Sequence, residues 1–176
     1  MTLQIRRYRD SEHEQVVHLH RVALEAVGAY VGSGPCDQDL NQIEQSYINS
    51  RGQFLVGVRG EDVADLGAVR QVDSHTAELK RMRVSPGLQR RGFGRRLLHA
   101  LQARALDLGY TTLVLDTSER QVAAMALYRA EGYLDAGHGQ LAGLPILFFR
   151  RALNPEKIKR VPSNVTSPRP EQTISG

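Results

Sequence analysis

The stretch Val84-Ser85-Pro86-Gly87-Leu88-Gln89-Arg90-Arg91-Gly92-Phe93-Gly94-Arg95-Arg96 limits what this chain can fold into more than any other. An apolar-patterned strand, Glu78 to Val84, leads into it, and an amphipathic helix carrying Leu97, Leu98, Leu101, Ala105 and Leu108 leads out. The segment therefore sets a helix N-terminus, whose first amides have no helical partner, beside the end of a strand. Gly92 and Gly94 lack a Cβ and let a ligand approach the backbone. The helix dipole and Arg90, Arg91, Arg95 and Arg96 favour an anion there, so the segment is expected to cradle a phosphate.

The strand before the cradle slips in phase. Its apolar residues are Leu79, Met82 and Val84, so the two-residue alternation holds from Met82 to Val84 but fails between Leu79 and Met82. A β-bulge repairs such a slip and leaves a main-chain group free beside the cradle.

Around this pair the chain alternates strands and helices. Leu3 and Ile5 suit an edge strand, and Ser11 with Glu14 has capping-box spacing before a helix bearing Val16, Leu19, Ala23 and Val27. Gly28 to Asp37 is expected to be a loop, followed by a helix from Asp37 or Asp39 to Ser50 with Leu40, Ile43 and Tyr47 on one face. Phe54 to Arg59 and Val63 to Arg70 form a hairpin about Gly60-Glu61-Asp62, so with the bulged strand three strands run antiparallel in succession. Thr111 to Leu115 is a short buried strand, and it closes a right-handed βαβ crossover that makes it parallel to Glu78 to Val84. A short helix from Glu119 to Glu131, a strand from Tyr133-Leu134, a flexible loop from His138 to Gly143 and a final strand at Ile146 to Phe149 complete the domain. Prolines 155, 162, 168 and 170, with no apolar period, point to a disordered tail over residues 154–176, leaving a domain over 1–153.

Composition narrows the function classes. The net charge is +4, nearly all of the positive charge arginine, so nucleic acid has to be weighed. Aromatics are only 6% of the residues and no nucleic-acid-binding signature occurs, so no such partner is expected. The six histidines lack metal-ligand spacing, Cys36 is the only cysteine, and no apolar run reaches signal-peptide or membrane-span length; no metal and no membrane are expected, and the location expected is the cytoplasm.

Three loop types could account for a phosphate cradle. A Walker loop needs a Gly-Lys-Ser or Gly-Lys-Thr ending that is missing here. A Rossmann site would use Gly92-Phe93-Gly94 with Asp116 at the end of the next strand. Against it, Leu97 fills the third glycine position, and the preceding strand is charged at Glu78, Lys80, Arg81 and Arg83. The third type fits: Gln89-Arg90-Arg91-Gly92-Phe93-Gly94 resembles the Q/R-x-x-G-x-G/A pyrophosphate loop of the GNAT N-acetyltransferase superfamily. Glu78 to Val84 is similar to that family's bulged fourth strand. Gln121, Ala124, Leu127 and Tyr128 followed by Gly132-Tyr133 resemble its Asn-x-x-Ala-x-x-Leu-Tyr-x-x-x-Gly-Phe motif, with Gln in place of the usual Asn.

The resemblance implies an α/β fold with a mixed, largely antiparallel central sheet, a bulged strand, a parallel βαβ crossover and helices on both faces. It implies direct acetyl transfer from acetyl-CoA to a primary amine of a small molecule or a protein; the alternative is a non-catalytic acyl-CoA sensor or interaction module. Gln89, Arg90, Arg91, Gly92, Phe93, Gly94 and Arg95 would hold the pyrophosphate, the main chain of Met82, Arg83 and Val84 the pantetheine arm, and Gln121 the phosphate or pantetheine region. Tyr128 matches the tyrosine that protonates the leaving thiolate. From an unperturbed phenol that transfer is uphill by about 2 kcal/mol. Neutralising an alkylammonium at pH 7 costs about 4.6 kcal/mol and an α-ammonium about 1.4, and Glu78 is the candidate base. The Gly28 to Asp37 and His138 to Leu144 segments would flank the acceptor, with Glu25, Tyr30, Asp37 and Asp39 able to recognise a cation. Homodimers are common among the family's folds, and no residue here decides for one.

Overall fold

Seven strands form one sheet: β1 (Gln4–Arg7), β2 (Gln53–Arg59), β3 (Asp62–Gln71), β4 (Thr76–Val84), β5 (Thr112–Ser118), β6 (Leu134–Leu141) and β7 (Leu144–Ala152). This computed structural model describes residues 3–32 and 34–158. The strand order is β1-β2-β3-β4-β5-β7-β6, and β4-β5 is the parallel pair in an otherwise antiparallel sheet. Helix α2 (Phe93–Asp107) makes the crossover between β4 and β5, as the sequence predicts, because parallel neighbours cannot be joined by a tight turn.

Both faces are covered. On one, Leu97, Leu98, Leu101 and Ala105 of α2 pack on Val69, Ala77, Leu79, Leu113 and Leu115, joined by Tyr128 of α3 (Val122–Ala130). On the other, Val16 and Leu19 of α1 (His13–Glu25) and the Leu40-Ile43-Tyr47 stripe cover Phe54, Val56, Leu66 and Ala68.

Four local expectations are corrected. The start of the first helical region is not capped by Ser11 with Glu14. Glu12 accepts the Arg9 N–H at 2.9 Å and pairs with Arg6, so a buried ion pair fixes the turn one residue away. The expected helix up to Ser50 is a 3₁₀ segment, Pro35–Gln42, followed by a π-helical turn, Glu44–Ile48. The apolar stripe is right, but the backbone winds tightly and then loosely to present it. The expected flexible loop from His138 to Gly143 is instead the end of edge strand β6 and a tight hairpin, with Ala142 at φ 48° and Gly143 at φ 78°. Beyond Leu153, residues Asn154 to Lys157 are exposed but Ile158 returns to the core at 7% exposure; residues 159–176 of the expected tail lie outside the described residues.

Candidate active site

The site begins where β4 and β5 part. They pair only from Thr76↔Thr112 to Glu78↔Val114, although β4 continues to Val84 and β5 to Ser118. Past that point the two strands diverge, and a cleft opens between their C-terminal halves.

The bulge expected from the phase slip lies at the mouth of this cleft. Leu66 pairs with Arg83 and Ala68 with Lys80, so Arg81 and Met82 together face Gly67. Arg81 takes φ 58°, a left-handed conformation costly for a side chain with a Cβ. Gly67 lets the bulge pack closely, since a Cβ there would lie 2.7 Å from Leu101 Cδ1 and 3.0 Å from Met82 Sδ and would push those side-chain ends aside. The Arg81 guanidinium holds the strained residue in place. It donates to Asp37 Oδ1 at 2.8 Å and Asp39 Oδ2 at 2.9 Å, and also to the Cys36 carbonyl. Asp39 further accepts a hydrogen bond from the Tyr47 hydroxyl, and His20 Nε2 sits 3.2 Å from Asp37 Oδ1. The bulge is thereby tied to the Pro35–Gln42 segment. Burial, then the Arg83 and Arg81 charges, depress His20 to about 4, so it is neutral at neutral pH.

Two cavities meet in the cleft. One, about 370 Å³, runs along Val84, Gln89, Arg90, Gly92, Gly94 and Arg95 to the first turn of α2. The other, about 140 Å³, is walled by Leu24, Val31, Leu141, Leu144 and Ile146 and lined by Asp37, Asp116, Thr117 and Ser118. Met82, Arg83, Gln121 and Tyr128 line both. A ligand arm lying in the first cavity and a second molecule in the other would meet at these four residues.

The cradle has the features of an anion site. Gly92 is the residue before α2, at φ 82°, and no side chain caps the helix, so the first-turn amides are open to a ligand. Arg90 and Arg91 are exposed, and no ion pair among the described residues includes either. Other expected contacts are placed differently. Phe93 is buried against Leu3 and Ala64, leaving only its main chain for a ligand. Arg91 does not line the cavity. Arg95 Nε bonds Glu131 Oε1 at 2.8 Å, and Glu131 also holds His99 Nε2 at 2.7 Å. Gln89 donates to the Val84 carbonyl at 3.3 Å, bracing the loop against β4.

At the junction, Tyr128 is 5% exposed, with its ring 5.6 Å from that of Tyr133 and 6.0 Å from that of Phe149. Burial pushes its phenol well above the usual range, while the Arg83 charge pulls it down. Arg83 donates to the Met82 carbonyl at 2.7 Å and to Gln121 Oε1 at 3.4 Å; burial, then the Arg81 charge, lower it to about 10. Gln121 stands at the start of α3 without capping it, its amide oxygen accepting from Arg83 at 3.4 Å.

Glu78 is elsewhere. It sits where β4 and β5 still pair, lines neither cavity, and is neutralised by Arg70 at 2.7 Å and Lys80 at 3.3 Å. Two carboxylates line the smaller cavity, Asp37, which is paired with Arg81, and Asp116, which has no ion pair among the described residues and was weighed from the sequence only as a ribose ligand. The field of Asp116 raises both Tyr128 and Arg83. The signal in the sequence is a charge that ends an otherwise apolar strand, Leu113 to Leu115. Among the described residues, no group of three or more His, Cys, Asp or Glu side chains is placed to hold a metal ion.

Known proteins resemble this chain in sequence and in fold. The sequence profile described as the acetyltransferase (GNAT) family matches residues 14–133. N-acetyltransferase family 8 member 2 of Rattus norvegicus is 34% identical over 126 residues, 65% of this chain and 56% of that protein. The chain spans about half the length of the curated relatives it matches. An acetyltransferase of the GNAT family from Staphylococcus aureus Mu50 superposes with a TM-score of 0.79 at 20% identity, covering 86% of this chain and 99% of that one. PaiA N-acetyltransferase from Thermoplasma acidophilum, solved in complex with coenzyme A, gives 0.69 at 17% identity, covering 84% and 98%. With the family profile spanning the bulged strand, the cradle and the Tyr128 helix, the chain belongs to the GNAT acetyltransferase family.

Proposed function

We propose that this chain transfers an acetyl group directly from acetyl-CoA to a primary amine. The observation that carries the proposal is the meeting of two cavities at Tyr128, one of them leading back to the open amides of α2. The coenzyme fits this frame by charge: its pyrophosphate suits uncapped amides flanked by Arg90 and Arg91, and its uncharged arm suits a cavity edged by a bulged strand. When bound it supplies a thioester, an acyl donor whose leaving group is a thiolate.

The residues of this chain then have distinct tasks. Gln89, Arg90, Arg91, Gly92, Phe93, Gly94 and Arg95 hold the pyrophosphate, chiefly by main-chain N–H groups. The main chain of Met82, Arg83 and Val84 aligns the arm, and Gln121 acts through Arg83 rather than as a direct phosphate ligand. Asp116, in place of Glu78, takes the proton from the incoming ammonium, directly or through water. The amine nitrogen forms its bond to the acetyl carbon as the carbon–sulfur bond breaks, Tyr128 gives its proton to the departing sulfur, and the nitrogen then releases its second proton, which restores the phenol. Burial keeps that proton on the phenol until the thiolate forms, and the nearby Arg83 cation eases its release. The compartment proposed is the cytoplasm, where an exposed free thiol such as Cys36 stays reduced.

The test is release of free CoA thiol from acetyl-CoA by pure protein across polyamines, aminoglycosides, amino acids and peptides. Amine-dependent release at least about 100-fold above the no-amine rate is expected, an enhancement well within reach of positioning and proton transfer. Acetyl-CoA binding without turnover of any amine would turn the protein into an acyl-CoA sensor, and absence of acetyl-CoA binding would remove the reading altogether.

A further inference from the structure

The two arginines of the bulge are in opposite electrostatic states. Arg81 is matched by Asp37 and Asp39. Arg83 has only neutral partners, the Met82 carbonyl and the Gln121 amide oxygen, and its Nε is buried with no partner at all. None of the ion pairs among the described residues includes it. The Asp37 and Asp116 carboxylates act on it only through their fields, so the desolvated cation has no contacting counter-ion, and a ligand anion would relieve the cost. Even lowered to about 10, the guanidinium is charged at neutral pH.

The position of Arg83 indicates which molecule would bring the anion. The anionic groups of the coenzyme belong at the α2 amides, and the arm that would reach Arg83 carries no charge. The anion therefore has to come from the acceptor side, where Arg83 and Asp116 line the smaller cavity together with apolar residues that include Leu24, Val31, Leu144 and Ile146. A cation and a carboxylate lining one small space that also holds apolar side chains suit a zwitterion. Asp37, the other acid there, is already spent on Arg81 and His20.

We propose that Arg83 binds a carboxylate of the acceptor, so that the amine acetylated belongs to an amino acid with an apolar side chain rather than to a polyamine or aminoglycoside. This rests on the acetyl-transfer function proposed above. A charge-assisted contact of this kind discriminates by about 10- to 100-fold.

The experiment compares L-leucine with isoamylamine, and L-phenylalanine with phenethylamine, as acceptors for wild type, Arg83→Gln and Arg83→Lys. In the wild type the amino acid should have the higher kcat/KM. That ratio should fall at least about tenfold in Arg83→Gln and recover in part in Arg83→Lys, by more than any change in acetyl-CoA affinity measured on the same variants. The change in ratio between proteins, not the ratio itself, cancels the different basicities of the amines. A decarboxylated amine used as well as its amino acid overturns the proposal, as does an Arg83→Gln variant that loses both acceptors and acetyl-CoA affinity by one common factor. If none of the four amines is acetylated, the transfer reading fails for them. Calorimetry on the CoA-saturated protein then decides the subsite: N-acetyl-L-leucine should bind tighter than N-isoamylacetamide, the preference lost in Arg83→Gln, and equal binding overturns it.

Discussion

Three buried groups carry the chemistry and the pH response at the level of single residues. Tyr128 keeps its proton because burial disfavours phenolate, so removal of the hydroxyl should strike turnover rather than binding. Tyr128→Phe is expected to lower kcat by about 10²- to 10³-fold with acetyl-CoA affinity within about twofold. Steady-state rates paired with calorimetry check this, and an unchanged kcat would take the tyrosine out of the reaction. Asp65 is fully buried beneath α2, and neither of its oxygens completes a hydrogen bond of normal geometry. Burial raises it from 3.8 to about 7, the Gly57 N–H and the Arg96 charge pulling the other way. Its folded value lies above the unfolded one, so its contribution to stability is full below about pH 4 and is lost as pH rises through 7. His20 runs opposite, with a folded value of about 4 against 6.5, so its contribution is full above pH 6.5 and is lost as pH falls through 4. Asp65→Asn should therefore stabilise the protein at pH 8 by about 1–3 kcal/mol and much less at pH 5, measured by urea unfolding. An equal gain at both values would mean that Asp65 does not titrate with folding.

Among the elements, the bulged strand and the cradle were the parts most legible in the sequence, for a physical reason. A strand repeats every two residues, so an inserted residue leaves a phase slip between Leu79 and Met82 that no other element produces. What anchors the bulge was not legible, because Asp39 and Asp37 reach Arg81 from 42 and 44 residues away. Those contacts replace what Arg81 loses to its left-handed backbone. Arg81→Ala is expected to cost about 3–5 kcal/mol, since it leaves the partly buried Asp37 and Asp39 carboxylates without a counter-ion, and a thermal or urea midpoint reads it directly. In the cradle, Gly92→Glu adds both a side chain at φ 82° and a negative charge beside the first-turn amides. It should weaken acetyl-CoA by more than about 30-fold in calorimetry, and unchanged affinity would move the pyrophosphate elsewhere. The second half of strand β6 was read as a loop because Gly137 and Gly139 dilute its pattern and most of it is exposed; pairing with β7, not its own propensity, makes it a strand. The same holds for Glu78 and Asp116. Which of two strand carboxylates reaches the cleft depends on where β4 and β5 part, and neither strand alone records that.

For the whole molecule, covering both sheet faces leaves the splayed strands as the place where backbone groups and polar side chains face open space. The chain end takes part in the core. Ile158 packs against the α2 side, so a chain ending at Leu153 should lose about 1–3 kcal/mol relative to one ending at residue 160, read from urea unfolding; equal stabilities would make the Ile158 contact incidental. The central claim is that two substrates meet at one junction and react there without an acetylated protein in between. Initial rates of CoA release, with acetyl-CoA varied at several fixed levels of an accepted amine, test this most directly. Intersecting double-reciprocal lines are predicted, since both molecules must be bound together. Parallel lines, the pattern of an enzyme that carries the acetyl group covalently, would contradict it.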